Sequence, residues 1–153
     1  MGQFLWRFKL QCARNIMAGV QYLHHQNVIY YNLSSIAVLI DPGASYSIKL
    51  VDSGYSKLAK ANETLTLGTG GCRWSAPECH SDIFAFGVLL SELETHQVSF
   101  CEFEHDTVAQ KKIANGCLPS FTSSCPTWYI EPARKCLDFG PLKRPTISYI
   151  ILP

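Results

Sequence analysis

Apolar residues recur at intervals of three and four near the start of the chain, which is the spacing of one helix face. We expect an amphipathic helix over about residues 8–25. Residues 81–94, in contrast, are apolar on nearly all sides, which predicts a central helix buried in the core. The apolar positions of the first helix are Leu10, Ala13, Ile16, Met17, Val20 and Leu23.

Short apolar stretches with turn residues between them predict a small β element. The stretches "NVIYY" and "IAVLID" are typical of short strands, and "YSIKLVD" is expected to return as the partner strand of a hairpin. The stretch "DPGAS" between them contains proline and glycine, which favour a turn. Residues 53–75 are rich in Gly, Ser, Thr and Asn and lack periodicity, so we expect a long exposed loop there.

The C-terminal third is predicted to be helical. Asp106 is expected to cap a helix that ends near Asn115 and Gly116. A further helix starts at Ser124 and Pro126 and reaches about residue 137, with Pro132 expected to kink or shorten it. After "GPLKRPT" a last short helix follows. The predicted fold class is therefore mainly α with small β-hairpins, in one domain over residues 1–153.

Composition excludes several classes of function. The net charge is +1 and no basic run occurs, so we expect neither nucleic acid nor an anionic membrane as a partner. Of the residues, 47% are hydrophobic and only 16% are charged, which indicates a surface that a partner protein covers. The start of the chain does not have the pattern of a signal peptide, so we expect a cytoplasmic location and reduced thiols. Cys72, Cys79 and His80 cluster without the spacing of a standard zinc site.

Five stretches of the chain follow one another as "GVQYLHHQNVIYYNL", "KLVDSG", "RWSAPE", "SDIFAFGVLLSEL" and "CLDFGPLKRPT". In this order they resemble the C-terminal lobe of eukaryotic protein kinases, with features of the tyrosine-kinase-like branch. Residues 19–33 resemble the helix that enters the catalytic loop, and residues 52–78 resemble an activation segment. Residues 81–93 are similar to the central buried helix, and residues 136–146 to the closing Arg-Pro-Thr pattern.

The resemblance implies that the catalytic loop has lost its chemistry. Asn32 is at the position of the aspartate that accepts the substrate proton, and an amide is not a base at neutral pH. Ala37 replaces the asparagine that holds Mg²⁺, and a methyl group cannot be a ligand. Ser34 stands where many members have a basic residue. Gly71 takes the place of a threonine that hydrogen-bonds this loop.

The residues at two other kinds of position also differ from those of the family: positions that serve regulation, and positions whose side chains stack on one another inside the domain as an internal spine. Tyr31 replaces the arginine that binds a phosphate on the activation loop, so we expect no switching by phosphorylation of that loop. Tyr30 and Ser53 occupy positions whose side chains stack inside the family's spine, and Ser53 fills less space than phenylalanine. The candidate modification sites on the loop are Tyr55, Thr64, Thr66 and Thr69.

Two residues keep a possible link to a nucleotide. Asp52, in "DSG", stands where the family's aspartate holds Mg²⁺ against the phosphates, although a strand-end aspartate also commonly caps a turn. Val38 and Leu39 have the position of an adenine floor, and ordinary core packing explains them equally well. ATP and Mg²⁺ are thus implied by resemblance only, and we expect no cofactor.

Three further residues have structural roles by resemblance. Asp82 is expected to anchor the backbone of the catalytic loop, and Glu78 and Arg144 to form a buried ion pair. Only Cys79 and His80 separate Glu78 from Ser81, where the family has a longer segment, and this shortening argues against the pair.

The family's N-terminal lobe is expected to be absent, because no glycine-rich phosphate loop and no Val-Ala-x-Lys strand precede residue 28. The leading interpretation is a degenerate, truncated pseudokinase without phosphotransfer that binds a protein at the surface facing the missing lobe. One alternative is a fragment, or an incomplete gene model, of an active tyrosine-kinase-like serine/threonine kinase. The other is a relic without function.

Overall fold

The computed structural model describes residues 6–41, 47–51, 56–58, 72–78 and 81–152. Within these ranges the helices are α1 (Trp6–His25), α2 (Asp82–Thr95), α3 (Asp106–Ala114) and α4 (Thr127–Cys136). The strands are β1 (Val28–Ile29), β2 (Val38–Asp41), β3 (Ser47–Leu50) and β4 (Lys57–Leu58). Single 3₁₀ turns cover Ser35–Ala37, Cys72–Trp74, Pro141–Lys143 and Ile147–Tyr149.

Helix α1 is the amphipathic helix that the apolar spacing predicts, and it begins two residues earlier than expected. Its buried face contains Cys12, Ala13, Ile16 and Val20, and the last three belong to the main core. Burying this stripe stabilises the helix far more than intrinsic propensity does. Lys9 is also buried, with its Nζ atom 2.8 Å from the carbonyl oxygen of Glu94 and 4.8 Å from the Trp6 ring centroid.

The β structure consists of two separate two-stranded antiparallel sheets. Strands β2 and β3 pair as the predicted hairpin, in a register that sets Val38 opposite Leu50. The predicted turn of that hairpin lies outside the described residues. Strand β1 pairs with β4, which covers residues 57–58, and a 3₁₀ turn covers residues 72–74. The expectation of an irregular loop over residues 53–75 is therefore wrong at these two places. Most of that range lies outside the described residues.

Helix α2 runs through the centre of the core, as its apolar sequence predicts. Ser81 caps its N-terminus, because the Ser81 hydroxyl accepts a hydrogen bond from the Phe84 backbone N–H at 3.3 Å. The helix ends at His96, whose φ of 58° lies in the left-handed region. It packs against α1 on one side and α4 on another. Three carboxylates, those of Asp82, Glu92 and Glu94, are buried on it.

Three expectations for the last helices need correction. Asp106 does not cap α3: His105 occupies the N-cap position, and the Asp106 carboxylate instead accepts a hydrogen bond from Arg73 Nε at 2.6 Å. Pro132 does not end α4, which continues to Cys136. One face of α4 is buried against α2 around Pro132, and this packing keeps the helix intact where a proline removes a hydrogen bond. The predicted last helix is a single 3₁₀ turn over Ile147–Tyr149.

None of the helices in the described part of the chain has both the length and the hydropathy that crossing a bilayer requires. The described cysteines have free thiols, and Cys12, Cys125 and Cys136 among them are buried.

Candidate functional site

Residues 30–37 connect β1 to β2 as a loop that ends in the 3₁₀ turn Ser35–Ala37. The first turn of α2 contacts this loop. The Asp82 side chain, which is 3% exposed, points from the first turn of α2 into this loop. Its Oδ2 atom accepts a hydrogen bond from the Tyr30 backbone N–H at 2.8 Å, and its Oδ1 atom accepts one from the Tyr31 N–H at 2.9 Å. His24 Nε2 lies 2.8 Å from Oδ2. One carboxylate therefore joins the end of α1, the loop and α2.

The loop backbone is strained at one residue that this carboxylate holds. Tyr31 has a φ of 65°, in the left-handed region, where a residue other than glycine costs about 1–2 kcal/mol. The two hydrogen bonds to Asp82 fix the peptides on either side of the Tyr30 α-carbon and offset this cost. The role that the resemblance implies for Asp82, anchoring the loop backbone, is compatible with these contacts.

The Tyr30 side chain is part of the core. It is 1% exposed, and its hydroxyl donates a hydrogen bond to the Val51 carbonyl. On the backbone side, the Ser56 hydroxyl donates to the Tyr30 carbonyl at 3.3 Å. The loop is thus fastened to the residues that follow β3 as well as to α2. Ser53, the other residue of the implied spine, lies outside the described residues.

Asn32 and Ala37, the two positions that the resemblance links to proton acceptance and to metal binding, have different surroundings. Asn32 is half-buried, and its backbone carbonyl is 3.4 Å from the Ser34 hydroxyl. Ser34 caps the 3₁₀ turn, since its hydroxyl also accepts a hydrogen bond from the Ala37 N–H at 3.3 Å. Ala37 is 3% exposed, so its methyl group belongs to the core. At this position the chain has no side-chain atom that could bind an ion.

The described residues do not fit a nucleotide-bound Mg²⁺ ion. Ala37 has no donor atom, and the Asn32 amide carries no charge to offset that of the ion. Asp52, the remaining candidate ligand, lies outside the described residues. Leu39, the candidate adenine floor, is on β2 with 54% of its side chain exposed. Across the described part of the chain, no three His, Cys, Asp or Glu side chains converge as a metal site, and Cys79 and His80 lie outside it.

The buried thiols do not have the properties of nucleophiles. Burial raises the pKa of Cys125 to about 11 and that of Cys136 to about 12, and it also raises the pKa of Cys12. A nucleophilic cysteine requires a thiolate, which a lowered pKa favours. These three thiols are protonated at neutral pH and serve as core side chains.

Glu78 and Arg144 form the ion pair that the shortened segment argued against, but the pair is not fully buried as expected, because the Glu78 side chain is 35% exposed. Arg144 Nη2 donates to Glu78 Oε2 at 3.0 Å, and Arg144 Nη1 donates to Glu78 Oε1. The Arg144 side chain is 2% exposed, and its Nε atom also donates to the Asp138 carbonyl at 2.7 Å. A two-pronged contact of this kind is stronger and more directional than a single ion pair. The two residues between Glu78 and Ser81 therefore suffice for the contact.

Two residues with several polar contacts, Arg73 and Glu92, were not identified as important from the sequence. Arg73 donates to the carbonyls of Phe100 and Phe103 and to the Asp106 carboxylate, so it fastens the 3₁₀ turn of residues 72–74 to the start of α3. Glu92 lies inside α2 and accepts a hydrogen bond from Trp74 Nε1 at 3.0 Å. A carboxylate in a buried helix is a sequence signal, but it does not distinguish Glu92 from Asp82 and Glu94 on the same helix.

Comparison with known proteins places this geometry in a family. The family model described as "protein tyrosine and serine/threonine kinase" matches residues 3–152. Among curated proteins of Dictyostelium discoideum, the chain is 32% identical over 163 residues to the probable serine/threonine-protein kinase pats1. It is 28% identical over 151 residues to another probable serine/threonine-protein kinase, and 27% identical over 162 residues to the dual specificity protein kinase shkA.

The matches cover nearly all of this chain but a small part of each relative. They include 97%, 93% and 94% of the chain, which spans only 5%, 9% and 30% of the three relatives respectively. Because the family model extends over almost every residue, the match includes the loop around Asn32, helix α2 and the Glu78–Arg144 pair. The chain belongs to the protein tyrosine and serine/threonine kinase family.

Proposed function

We propose that the chain is a pseudokinase segment with the fold of the family's C-terminal lobe, which acts by binding a protein and not by transferring phosphate. The observation that carries this proposal is Ala37. Its position corresponds by resemblance to a Mg²⁺ ligand, and its methyl group is buried in the core. Asn32 adds to it, because an amide at the proton-acceptor position cannot act as a general base. Fold membership alone does not imply the family's chemistry.

A binding role is supported by the apolar residues around β2. Ile36, Leu39 and Ile40 are 79%, 54% and 43% exposed, although they are within five positions of one another in the sequence. Large exposed aliphatic side chains at such density favour contact with a protein surface. With a net charge of +1, the chain lacks the strong field that would attract nucleic acid.

The first test is a phosphotransfer assay of the 153-residue chain with labelled ATP, in the presence of Mg²⁺ and of Mn²⁺. We expect no turnover above that of an Asp52→Ala control. Turnover that this control abolishes would overturn the proposal. Asn32→Asp alone is not expected to create activity, because Ala37 still supplies no metal ligand. Activity gained by this one change would show that the metal site does not need the Ala37 position.

A nucleotide-binding measurement tests the two parts of the proposal separately, the absence of phosphate transfer and the binding of a protein. A ligand that binds the native state and not the unfolded state raises the melting temperature, and the rise grows with the ligand concentration. We expect ATP with Mg²⁺ to leave the melting temperature unchanged. A rise that is lost in Asp52→Ala would indicate a nucleotide sensor, which is compatible with absent phosphotransfer and would move the binding role from protein to nucleotide.

The small share of each relative that the chain covers favours one second candidate. In it, the chain is a segment of a longer serine/threonine kinase whose remaining parts complete the site. Sequencing of full-length transcripts distinguishes the two candidates. Upstream coding sequence with a glycine-rich loop and a Val-Ala-x-Lys strand would favour the second one, while Asn32 and Ala37 would still separate it from an ordinary active kinase.

A further inference from the structure

A groove of about 570 Å³ lies between α4 and the chain segment that precedes it. One wall is formed by Ile130, Arg134 and Leu137, whose spacing of four and three positions places them on one side of α4 and its C-terminal cap. The opposite wall is formed by residues 118–123. A groove of this size, with mostly apolar walls and a few polar groups, is typical of a binding site.

The wall opposite α4 is an extended segment with free backbone groups. Residues 118–121 run without a helix, turn or bend. Leu118, Ser120 and Phe121 make no backbone hydrogen bond to any residue that the structure describes. Solvent reaches this segment, because Ser120 is exposed and Leu118 is 42% exposed. An extended segment with free N–H and C=O groups can pair with a strand of another protein.

Contacts at both ends hold this segment in place. At its start, the Cys117 N–H donates to the Lys112 carbonyl at 2.9 Å. At its end, the Thr122 N–H donates to Glu94 Oε2 at 2.9 Å, and the Thr122 hydroxyl donates to Glu94 Oε1. The wall is therefore fixed before a partner binds, which lowers the conformational entropy that binding would cost.

Arg134 gives the groove its charge. It is the single charged residue among the described residues that line the groove, and it is exposed. Its guanidinium group makes no ion pair within the described part of the chain, although Glu131 lies one turn earlier on α4. Glu94, behind the opposite wall, is 6% exposed, and both of its oxygens accept hydrogen bonds from Thr122. A free guanidinium group binds a carboxylate through two parallel hydrogen bonds, so the groove favours an acidic partner.

We propose that this groove binds an extended segment of a partner protein that has one acidic side chain among apolar ones. The backbone of that segment pairs with residues 118–121, and its carboxylate binds Arg134. Its apolar side chains lie against Phe121 and Ile130, which removes apolar surface from water. Backbone pairing supplies affinity in this mode of binding, and the side chains of the partner supply specificity.

The inference rests on the proposed function only in taking the occupant to be a protein, and it adds a second surface to the one around β2. The groove uses neither Asn32 nor Ala37. Turnover in the phosphotransfer assay would therefore overturn the proposed function without affecting this site. Failure of the peptide measurements below would remove this site and leave the absence of phosphate transfer unaffected.

The test uses labelled hexapeptides that alternate threonine and leucine, with one glutamate moved through the six positions, and a matched set that has glutamine in its place. Fluorescence polarisation with the 153-residue chain gives the dissociation constant of each peptide. A surface ion pair of good geometry corresponds to about a fivefold change in affinity. We expect at least one glutamate peptide to bind about fivefold more tightly than its glutamine counterpart, with a smaller difference at high salt. Equal affinities at all six positions, or no binding by any peptide, would overturn the proposal.

Methylation of the peptide backbone tests the pairing with residues 118–121. A strand directs the N–H groups of every second residue toward the same neighbour. N-methylation at the odd positions of the best peptide should therefore differ from N-methylation at its even positions. We expect one of the two forms to bind at least about tenfold more weakly than the other, because it loses more than one hydrogen bond. Equal affinities of the two forms would contradict strand pairing.

Two variants of the chain locate the carboxylate. Arg134→Gln removes the cation, so the glutamate and glutamine peptides should bind to it equally. Lys135→Gln removes the next charge on α4, which does not line the groove, and should keep the preference. Both side chains are exposed, so both variants should keep the native melting temperature. A preference that persists in Arg134→Gln, or one that disappears in Lys135→Gln, would place the carboxylate elsewhere and contradict the proposal.

Discussion

The carboxylate of Asp82 accepts a hydrogen bond from the backbone N–H of Tyr31 at 2.9 Å, although the two residues are 51 positions apart in the sequence. Tyr31 has a left-handed backbone conformation, with a φ of 65°. The same carboxylate accepts the Tyr30 N–H and contacts His24. The loop that would be catalytic in an active kinase is therefore kept in its shape by a residue of the central helix. Two hydrogen bonds to one carboxylate and the contact with His24 hold this backbone in place.

Removal of this carboxylate should destabilise the whole domain. In Asp82→Ala, one buried and one partly buried backbone N–H group lose their acceptor. We expect a loss of about 2–5 kcal/mol in the free energy of unfolding, measured with urea. Ser81→Ala is the matched control, because it removes only the neighbouring helix cap and should cost about 1 kcal/mol. Similar losses in the two variants would show that Asp82 acts as a helix-end residue and not as the anchor of the loop.

The ion pair of Glu78 and Arg144 should be sensitive to the shape of the cation. Arg144→Lys keeps the charge, but one ammonium group cannot reach Glu78 and the Asp138 carbonyl at once. We expect Arg144→Lys to lose about 2–4 kcal/mol of stability, nearly as much as Arg144→Ala. The exposed Arg134→Lys on α4 should stay within about 0.5 kcal/mol of the native chain. An Arg144→Lys variant as stable as this control would mean that only the charge matters.

A methyl group at Gly87 should push α2 and α4 apart. A β-carbon there would lie 2.8 Å from Leu137 Cγ and 2.9 Å from Cys136 Cβ. Overpacking of this kind costs about 1–3 kcal/mol, which exceeds the helix propensity that alanine gains. Gly19→Ala on α1 is the control, since its nearest neighbour is the flexible end of Leu50 at 3.1 Å. Thermal unfolding should show a lower midpoint for Gly87→Ala and an unchanged or higher one for Gly19→Ala.

The buried carboxyl of Glu92 should make stability depend on pH in a definite direction. Its pKa in the folded chain is raised above the ordinary value of 4.5, mainly by burial, so the folded state binds more protons than the unfolded state. Stability from this group is present below about pH 4.5 and is lost as pH rises through the raised pKa. Glu92→Gln cannot titrate, so the native chain should lose stability relative to this variant from about pH 4.5 upward.

Urea unfolding of both chains at several pH values between about 4 and 7 measures this difference. Glu131→Gln, which removes an exposed carboxyl on α4, accounts for general effects of charge. A stability difference between native chain and Glu92→Gln that stays constant across the range would contradict the expected proton uptake.

The elements with strong periodicity could be predicted from the sequence, and those that depend on distant partners could not. Helix α1 followed from apolar spacing, helix α2 from a long stretch that is apolar on nearly all sides, and the β2–β3 hairpin from two short strands around a turn. Strand β4 has only two residues, and its pairing with β1 spans about thirty positions. No local pattern is long enough to specify such a pair.

Some residues of the candidate site could likewise be predicted from a local motif, while others depend on distant partners. Asn32 and Ala37 could be identified by their place in a motif. The assignment of Asp106 as a helix cap failed because Arg73, 33 positions away, binds its carboxylate. Glu92 was missed because its importance comes from the side chain of Trp74, 18 positions away, which donates a hydrogen bond to its carboxylate.

Helix α2 has a consequence for how the molecule opens. Eleven of its residues are buried, and it contacts both α1 and α4. A helix enclosed in this way cannot fray into solvent while its neighbours stay in place. Its amide hydrogens should therefore exchange with deuterium only when the whole domain unfolds. The exchange rate of the α2 amides would then report the global stability of the chain, without any denaturant.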